Sequence, residues 1–441
     1  MKRALIAIVI AFFGVMLAYA GGTAEQQGAG KQITIRFMMR DVPSTTKGVT
    51  LIGDIWQRAI DKYNTAHPGV KIVNESISDD AAYTNKLTTD IAAGSPPNIF
   101  NYPGIASIVG YAKNGIILNF KPYLDADKTW SSGFSPGALQ MFDLTKYGVP
   151  GIYSIPYSEN PEPFYYNKAL FAKAGIQTVP KTWPELLSDI GKLNAAGIVP
   201  IGIGNKNTWR AGHLHTGIFY KYVGVETAVQ LGLRQKKWTD PDVVATFQKL
   251  LDLKNANAFE PGFNGIDSDT EMANFISGKY AMHYSGLWDV GRIQQEMGGA
   301  ANVGVFLMPA FPGREQYANN DITYPSQILV SGRLSKDAEA ATMDAVKYLS
   351  GPEVDGWLAN DANANPPRTD ITIDPAKVGK LWVEVRDLVA NAAITGHDTF
   401  AYDPLPGLEF FMKDQIAGML GGQLTPEQVG ANMQNFIDTH G

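Results

Sequence analysis

His213 and His215 stand two residues apart, a spacing that on a strand would turn both imidazoles to one face and could seat a metal ion. No third ligand lies near them and the other histidines are scattered, so structural roles are expected for both. Gly202-x-Gly204 lacks the third glycine and the lysine of a phosphate-cradling loop. The Gly-x-Ser-x-Gly turn of a serine hydrolase does not occur. Acidic neighbours such as Asp267 and Asp269 are too ordinary to mark an acid–base pair. The chain has no cysteine, which removes thiolate chemistry, thiolate metal sites and disulfides together. No catalytic residue, metal or cofactor is therefore expected.

What remains is a set of polar and aromatic side chains where chains cross or strands end. Residues 153–160 are rich in strand-forming aromatics but broken, with the following residues, by Pro156, Pro161 and Pro163, which a regular central strand does not tolerate. Such a stretch fits a crossing between two packed units, with Ser158, Glu159 and Asn160 where the units face each other. A solvated loop is the plain alternative. Beyond it, Asn167 is placed to cap a short helix to Ala174, and Gly175 fits the left-handed stop. Thr182 with Glu185 forms a capping box, Pro184 sits in the tolerant first turn, and the helix runs to Ala196 before Gly197.

The elements that must hold these residues follow from periodicity. Ile33, Ile35 and Phe37 alternate as a strand that ends in Arg40 and Asp41. Ile52, Ile55, Trp56, Ala59, Ile60 and Tyr63 share one helical face until His67-Pro68-Gly69. Residues 70–73 read as a second strand; Tyr83, Leu87 and Ile91 mark a helix; residues 98–102 read as a third strand and 105–114 as a third helix. This alternation implies an α/β architecture with a largely parallel sheet. Ligands bind such sheets outside the carboxyl ends of the strands, which singles out Arg40 and Asp41, Ser78 to Asp80, and Asn101 with Tyr102. Later in the chain, 198–203 reads as a strand, 217–256 as helices interrupted near Pro241, 271–275 as a helix, and 281–284 as a strand turning into Leu287-Trp288-Asp289. Short strands at 303–308 and 328–330, a helix capped by Ser335, and helices over 378–392 and after Pro426 complete the reading.

Length and charge bound the answer. A chain of 441 residues exceeds what one core usually supports, so two domains are expected. Lys2 and Arg3 precede an apolar run to Leu17, and Ala18-Tyr19-Ala20 is a small-x-small cleavage site. Residues 1–20 thus read as a signal peptide cut after Ala20, and 21–30 as a flexible linker. The apolar run falls short of the ~20 residues that a membrane span needs. Export without the cysteine of a lipid anchor predicts a free, soluble form. Losing Lys2 and Arg3 moves the formal charge from −6 to −8, which argues against nucleic acid and anionic membrane as partners.

These segments, in this order, resemble the family 1 extracellular solute-binding proteins of bacterial ABC sugar importers. The matching stretches are Tyr63-Asn64-x-x-His67-Pro68-Gly69-Val70 with the Ala92-to-Pro97 stop; Tyr166-Asn167-Lys168 with Phe171-x-Lys173-Ala174-Gly175 and Lys181-Thr182-Trp183-x-Glu185-Leu186; Phe275-x-x-Gly278-Lys279-x-Ala281-Met282 with Gly286-x-Trp288; and Val303-Gly304-Val305 through Pro309 to Gly313. Asn98 departs from the Asp usual in the family.

The resemblance implies a periplasmic monomer with an α/β, two-lobed periplasmic binding protein fold of type II, each lobe a mainly parallel sheet flanked by helices. Lobe 1 is expected at 31–155 plus 328–376 and lobe 2 at 156–327 plus 377–441, with crossings near 155–156, 324–328 and 370–377. A saccharide would sit in the cleft, and closure about the crossings would present the protein to the transmembrane permease of the importer. A sugar offers flat C–H faces and a rim of hydroxyls, so aromatic platforms and planar polar groups suit it. Trp288 then corresponds to the stacking Trp of the second lobe; a core Trp at a strand end is the bland alternative. Trp209 lies in the aromatic segment after a strand, or simply anchors the helix behind it. Asp289 binds hydroxyls or caps the next helix, Glu159 lies near the crossing carboxylate, and Asp403 faces the cleft if the family layout holds. The competing readings are a secreted glycoside-active enzyme with a carboxylic acid pair, and a binder of a non-sugar solute such as a polyol, glycerol phosphate or peptide, with Arg40 and Arg210 the hints of a phosphate site.

Overall fold

The computed structural model describes residues 32–45, 50–102, 104–389 and 394–441; the expected signal peptide and linker lie outside these described residues. In chain order its strands are β1 (Ile33–Met38), β2 (Val70–Asn74), β3 (Ile99–Phe100), β4 (Ile155–Pro161), β5 (Phe164–Asn167), β6 (Val199–Gly202), β7 (Tyr280–Tyr284), β8 (Val303–Phe306), β9 (Asn320–Val330) and β10 (Ile394–Gly396). They form two sheets flanked by helices. The first has the order β10-β9-β3-β1-β2, with β4 beside β9. Here β1 is parallel to β2 and β3, β10 is parallel to β9, and β9 is antiparallel to β3 and β4. The second has the order β6-β7-β5-β8, with β6 parallel to β7 and β5 antiparallel to both neighbours.

Local patterns explain most of the helices. The helix Ile52–Ala66 buries Ile55, Trp56, Ala59, Ile60 and Tyr63, the stripe that its period marks. Asn167 caps Lys168–Lys173 by accepting from the N–H groups of Ala169 and Leu170, and Gly175 closes it at φ 74°. Glu185 accepts the N–H groups of Lys181 and Thr182 at the start of Trp183–Ala195.

Three expectations need correction. The proline-broken crossing is a strand: β4 pairs along its length with β9, and its register slips between Pro156 and Ser158. Within the sheet β4 pairs only with β9 among the described residues, so its prolines forfeit no ladder bond on the other side. Residues 324–328, expected as a second crossing, and the short strand at 328–330 belong to one strand, β9, of 11 residues. Its alternation is hidden because Thr323 and Gln327 are buried among β3, β4 and β10. The third helix at 105–114 is a 3-10 turn, Ala106–Ile108, followed by a single turn, Val109–Lys113.

One core packs Phe37, Trp56, Tyr157, Ile328 and Val346 on the Ile52–Ala66 side of the first sheet. A larger one runs unbroken from Met38, Tyr83 and Phe100 to Phe164, Phe247 and Met433, so apolar contact as well as the β4–β9 ribbon joins the two sheets.

Candidate functional site

Because β1 and β3 run parallel and adjacent, the residues that follow them emerge side by side. Arg40 and Asp41 after β1, and Asn101 and Tyr102 after β3, line one cavity of about 180 Å³ together with Tyr157 of β4 and Tyr324, Pro325, Ser326 and Gln327 of β9. Four of the strand-end candidates meet there, and Ser78 and Asp79 are not among the lining residues. Typical drug-sized pockets span about 300–1,000 Å³, so this hollow takes one small ring or one end of a longer ligand. Tyr157 Oη donates to Asp41 Oδ2 at 2.7 Å. Burial pushes the Asp41 carboxyl up, against the pull of the Tyr157 and Trp56 hydrogen bonds and the Arg40 charge. Arg40 lies 5.2 Å from the Tyr83 ring centre. Gln327 Nε2 donates to the carbonyls of Tyr102 (2.5 Å) and Gly104 (2.9 Å). Asn101 Oδ1 and Gln327 Oε1 are sealed from solvent without a hydrogen-bond partner among the described residues. Both residues line the cavity, and a ligand donor that reached either oxygen on closure would satisfy it.

Beside the cavity stands a wall of rings. Trp209 opens the helix Trp209–Val223, which starts earlier than periodicity predicted, behind Thr208 at φ 62°. Trp288 sits in the turn Leu287–Asp289 after β7 and is 37% exposed. A Cβ at Gly286 would lie 2.2 Å from the Trp288 ring, so only glycine lets the indole fold down there. Trp209 and Trp288 meet edge-on with centroids 6.2 Å apart, and Trp288 meets Tyr324 edge-on at 6.0 Å. His213, on the same helix as Trp209, stacks on Tyr324 at 5.6 Å and lies edge-on to Trp209 at 5.0 Å. Tyr324 therefore belongs to both the wall and the cavity.

Charged groups back this wall. Arg210, 5% exposed, places Nε 3.1 Å from Glu271, stacks over the Trp209 ring at 4.4 Å and donates to Ser285 Oγ at 3.1 Å. His283 is held between Glu271 and Asp289, each at 2.9 Å. Burial disfavours its charge, but the Glu271 carboxylate and the two hydrogen bonds raise the imidazole overall. Burial likewise opposes the Asp289 charge, yet the His283 and Arg210 partners hold that carboxyl down to about 2. Asp289 Oδ2 accepts from His283 and from Ser285 Oγ (2.6 Å) and faces Arg210, and its side chain does not cap the next helix. It anchors the turn that carries Trp288.

Other candidates are spent elsewhere. Asn160 is buried, its amide donating to the Tyr324 carbonyl at 3.0 Å, so it ties β4 to β9. Asp403 is 4% exposed and paired through both oxygens with Arg234; it stands outside the site. Glu159 is half-buried on β4, its backbone bonded to Asn365 and its carboxylate without a hydrogen-bond partner among the described residues. Asp79 caps the helix Asp80–Ala92. His213 and His215 lie on a helix, where their spacing turns them apart: His215 is buried on Phe247 and bonded to Thr246. Gly202 and Gly204 give room for Glu271, whose atoms a Cβ at either position would crowd.

Sequence reasoning missed Tyr324, His213, Glu162 and Asp398. Glu162, in the proline-rich crossing, was the one with a signal, an acid among apolar neighbours. A larger hollow of about 530 Å³, lined by Tyr166, Lys168, Phe171 and residues near Val179, contains none of the candidates.

Comparison with known proteins follows the geometry. The family model described as bacterial extracellular solute-binding protein matches residues 48–364. The sn-glycerol-3-phosphate-binding periplasmic protein UgpB of Yersinia enterocolitica is 26% identical, over 83% of this chain and 84% of its own. The multiple sugar-binding protein of Streptococcus mutans is 22% identical, over 71% of this chain and 70% of its own. The solved structure of a chitin oligosaccharide binding protein superposes with a TM-score of 0.82 at 27% identity, covering 93% of this chain and 99% of the other.

Proposed function

The chain belongs to the bacterial extracellular solute-binding proteins, which bind solutes for ABC importers and are not enzymes, and from that premise we propose that its solute is an uncharged mono- or oligosaccharide. The two-lobed fold is that of the type II periplasmic binding proteins, and the glycoside-active enzyme reading falls with family membership. The observation that carries the proposal is Tyr324, which joins an exposed indole wall to a cavity with two unpartnered acceptors. A sugar ring offers C–H faces to the first and O–H donors to the second. In this reading Trp288 and Trp209 stack on the sugar, while Arg40, Asp41, Asn101 and Tyr102 meet its rim. Glu159, with an unspent carboxylate at the crossing, is a further acceptor.

A phosphate ester, as in the UgpB relative, fits less well. It would meet the Arg40 guanidinium in the cavity but bring acceptors to the acceptors Asn101 Oδ1 and Gln327 Oε1, and Arg210 is already committed to Glu271 and Asp289. The expected lobes would close about the β4–β9 ribbon and the closed form would engage the permease. Capture would take place in the periplasm after removal of residues 1–20.

A melting-temperature screen of the chain from Gly21 tests the proposal against mono- and oligosaccharides and sn-glycerol-3-phosphate. A ligand at a hundredfold excess over Kd adds about 2.7 kcal/mol of stability. A large shift with one sugar class, the sugar recovered intact, is expected; a shift with the phosphate ester alone overturns the reading.

A further inference from the structure

His213 presents both ring nitrogens to buried acids. Nδ1 lies 2.8 Å from Glu162 Oε1 and Nε2 lies 3.3 Å from Asp398 Oδ2. Glu162 is 2% exposed and Asp398 is fully buried; neither Glu162 Oε2 nor Asp398 Oδ2 has a hydrogen-bond partner among the described residues, so Asp398 approaches His213 at ion-pair distance while Glu162 is hydrogen-bonded to it. The three residues come from β4's end, the Trp209–Val223 helix and the loop before residue 399, and they converge directly behind the rings that form the wall.

An imidazole between two carboxyl groups needs one proton in each hydrogen bond. With two protons the trio carries a net charge of −1, and both contacts are charge-assisted or share an acid proton. A third proton neutralises it and weakens the longer contact, that to Asp398. The surroundings leave this proton to the trio. Lys413 is paired with Glu409 at 2.5 Å, and Arg210 with Glu271 and Asp289. His397 Nδ1 accepts the Asp398 N–H at 2.6 Å, so its neighbouring imidazole is neutral on that side. Tyr165, Tyr220 and Tyr284, on which Glu162 also acts, keep their protons, because burial raises each well out of range. Burial, opposed by the His213 charge and aided by Glu162, pushes the Asp398 carboxyl up to about 6.

We propose that His213 is a positioning residue for the binding platform: clamped by Glu162 and Asp398, its ring braces Tyr324, Trp209 and Trp288, and the platform loosens when the trio takes up its third proton. The inference rests on the platform being the ligand wall. It names groups that touch no ligand, and it makes affinity fall on mild acidification.

The test begins without ligand. Intrinsic tryptophan emission of the full chain is followed from about pH 5 to about pH 8 for wild type, His213→Gln and Asp398→Asn, since loosening of the ring wall changes the surroundings of Trp209 and Trp288. Affinity for a chitin-derived disaccharide is measured at the two ends of that range. Wild type should show an emission change centred near pH 6, with affinity about three- to tenfold weaker at the acid end. Asp398→Asn, which keeps shape but cannot titrate, should be flat in both readouts, and His213→Gln flat in emission with weaker binding throughout. A wild type without an emission change overturns the proposal, as does an Asp398→Asn profile that titrates like wild type. So does an emission change with constant affinity, which would leave the trio titrating but bracing nothing. Failure of the disaccharide and of every other saccharide to bind would reject the saccharide reading, while the emission profiles still decide the trio.

Discussion

The two halves of the site use polar groups in opposite ways. In the cavity at the ends of β1 and β3, polar atoms point inward and two acceptors remain idle. In the ring wall, the charged groups lie behind the aromatics and are paired by charge with one another, Arg210 with Glu271, His283 with Asp289 and His213 with Glu162, while Glu162 Oε2 and Asp398 Oδ2 keep no hydrogen-bond partner among the described residues. A buried charge costs several kcal/mol unless it is paired, so the wall's charges support shape, whereas the cavity's acceptors are free to meet a ligand. Substitutions in the wall's backing should therefore act first on stability and on affinity only through the rings they brace, and substitutions in the cavity directly on affinity.

The sharpest break of that contrast is Arg210→Met. It strips the guanidinium from between Glu271 and Asp289 and should cost about 3–5 kcal/mol of unfolding free energy, read by denaturant titration. A loss near zero would mean that the backing charges do not hold the wall. Asp398→Asn sharpens the comparison through pH. The Asp398 carboxyl is raised to about 6 from its ordinary 3.8, so the stability its protonated form contributes is fully present below pH 3.8 and is lost as pH rises through 6. The Asn variant escapes that loss and should gain roughly 2 kcal/mol on wild type as pH rises from about 4 to about 7. Asp289, held at about 2, works in the other sense: its contribution is present above pH 3.8 and lost only as pH falls through 2, so it is constant over this range.

Trp288→Ala should weaken saccharide binding at least tenfold, about 1.4 kcal/mol, with little change in melting temperature because the indole is 37% exposed. Unchanged affinity by calorimetry would remove Trp288 from the ligand wall. Asn101→Ala is the smallest effect. It should lower affinity by about 0.5–1.5 kcal/mol with a smaller loss of stability, since Oδ1 has no internal partner and the side chain gives up only its hydrogen bond with Tyr157. Equal losses in both measurements would place Asn101 with the wall's backing groups.

The strand-end rule read from Arg40, Asp41, Asn101 and Tyr102 led to one cavity, because parallel neighbours deliver their carboxyl ends to the same place. The place of Trp288 beside Gly286 at a strand end was legible, while its stacking role came only with the family resemblance. Asp289 and Asp403 were not, because each is an acid in a turn in the sequence, and only His283 and Arg234, brought from elsewhere, decide what the carboxylates do. β9 was misjudged because Pro325 and its buried polar residues imitate a loop.

The sequence by itself determined what depends on near neighbours: the buried stripe of Ile52–Ala66, the cap at Asn167, the glycine stops and the family pattern. These follow from rotation per residue and from hydrogen bonds within a turn, which repeat at fixed spacing. Tertiary structure alone decided which acid met which base. Glu162, His213 and Asp398 are far apart along the chain and join because each, once buried, lowers its desolvation cost only by finding a partner, and no spacing records that choice.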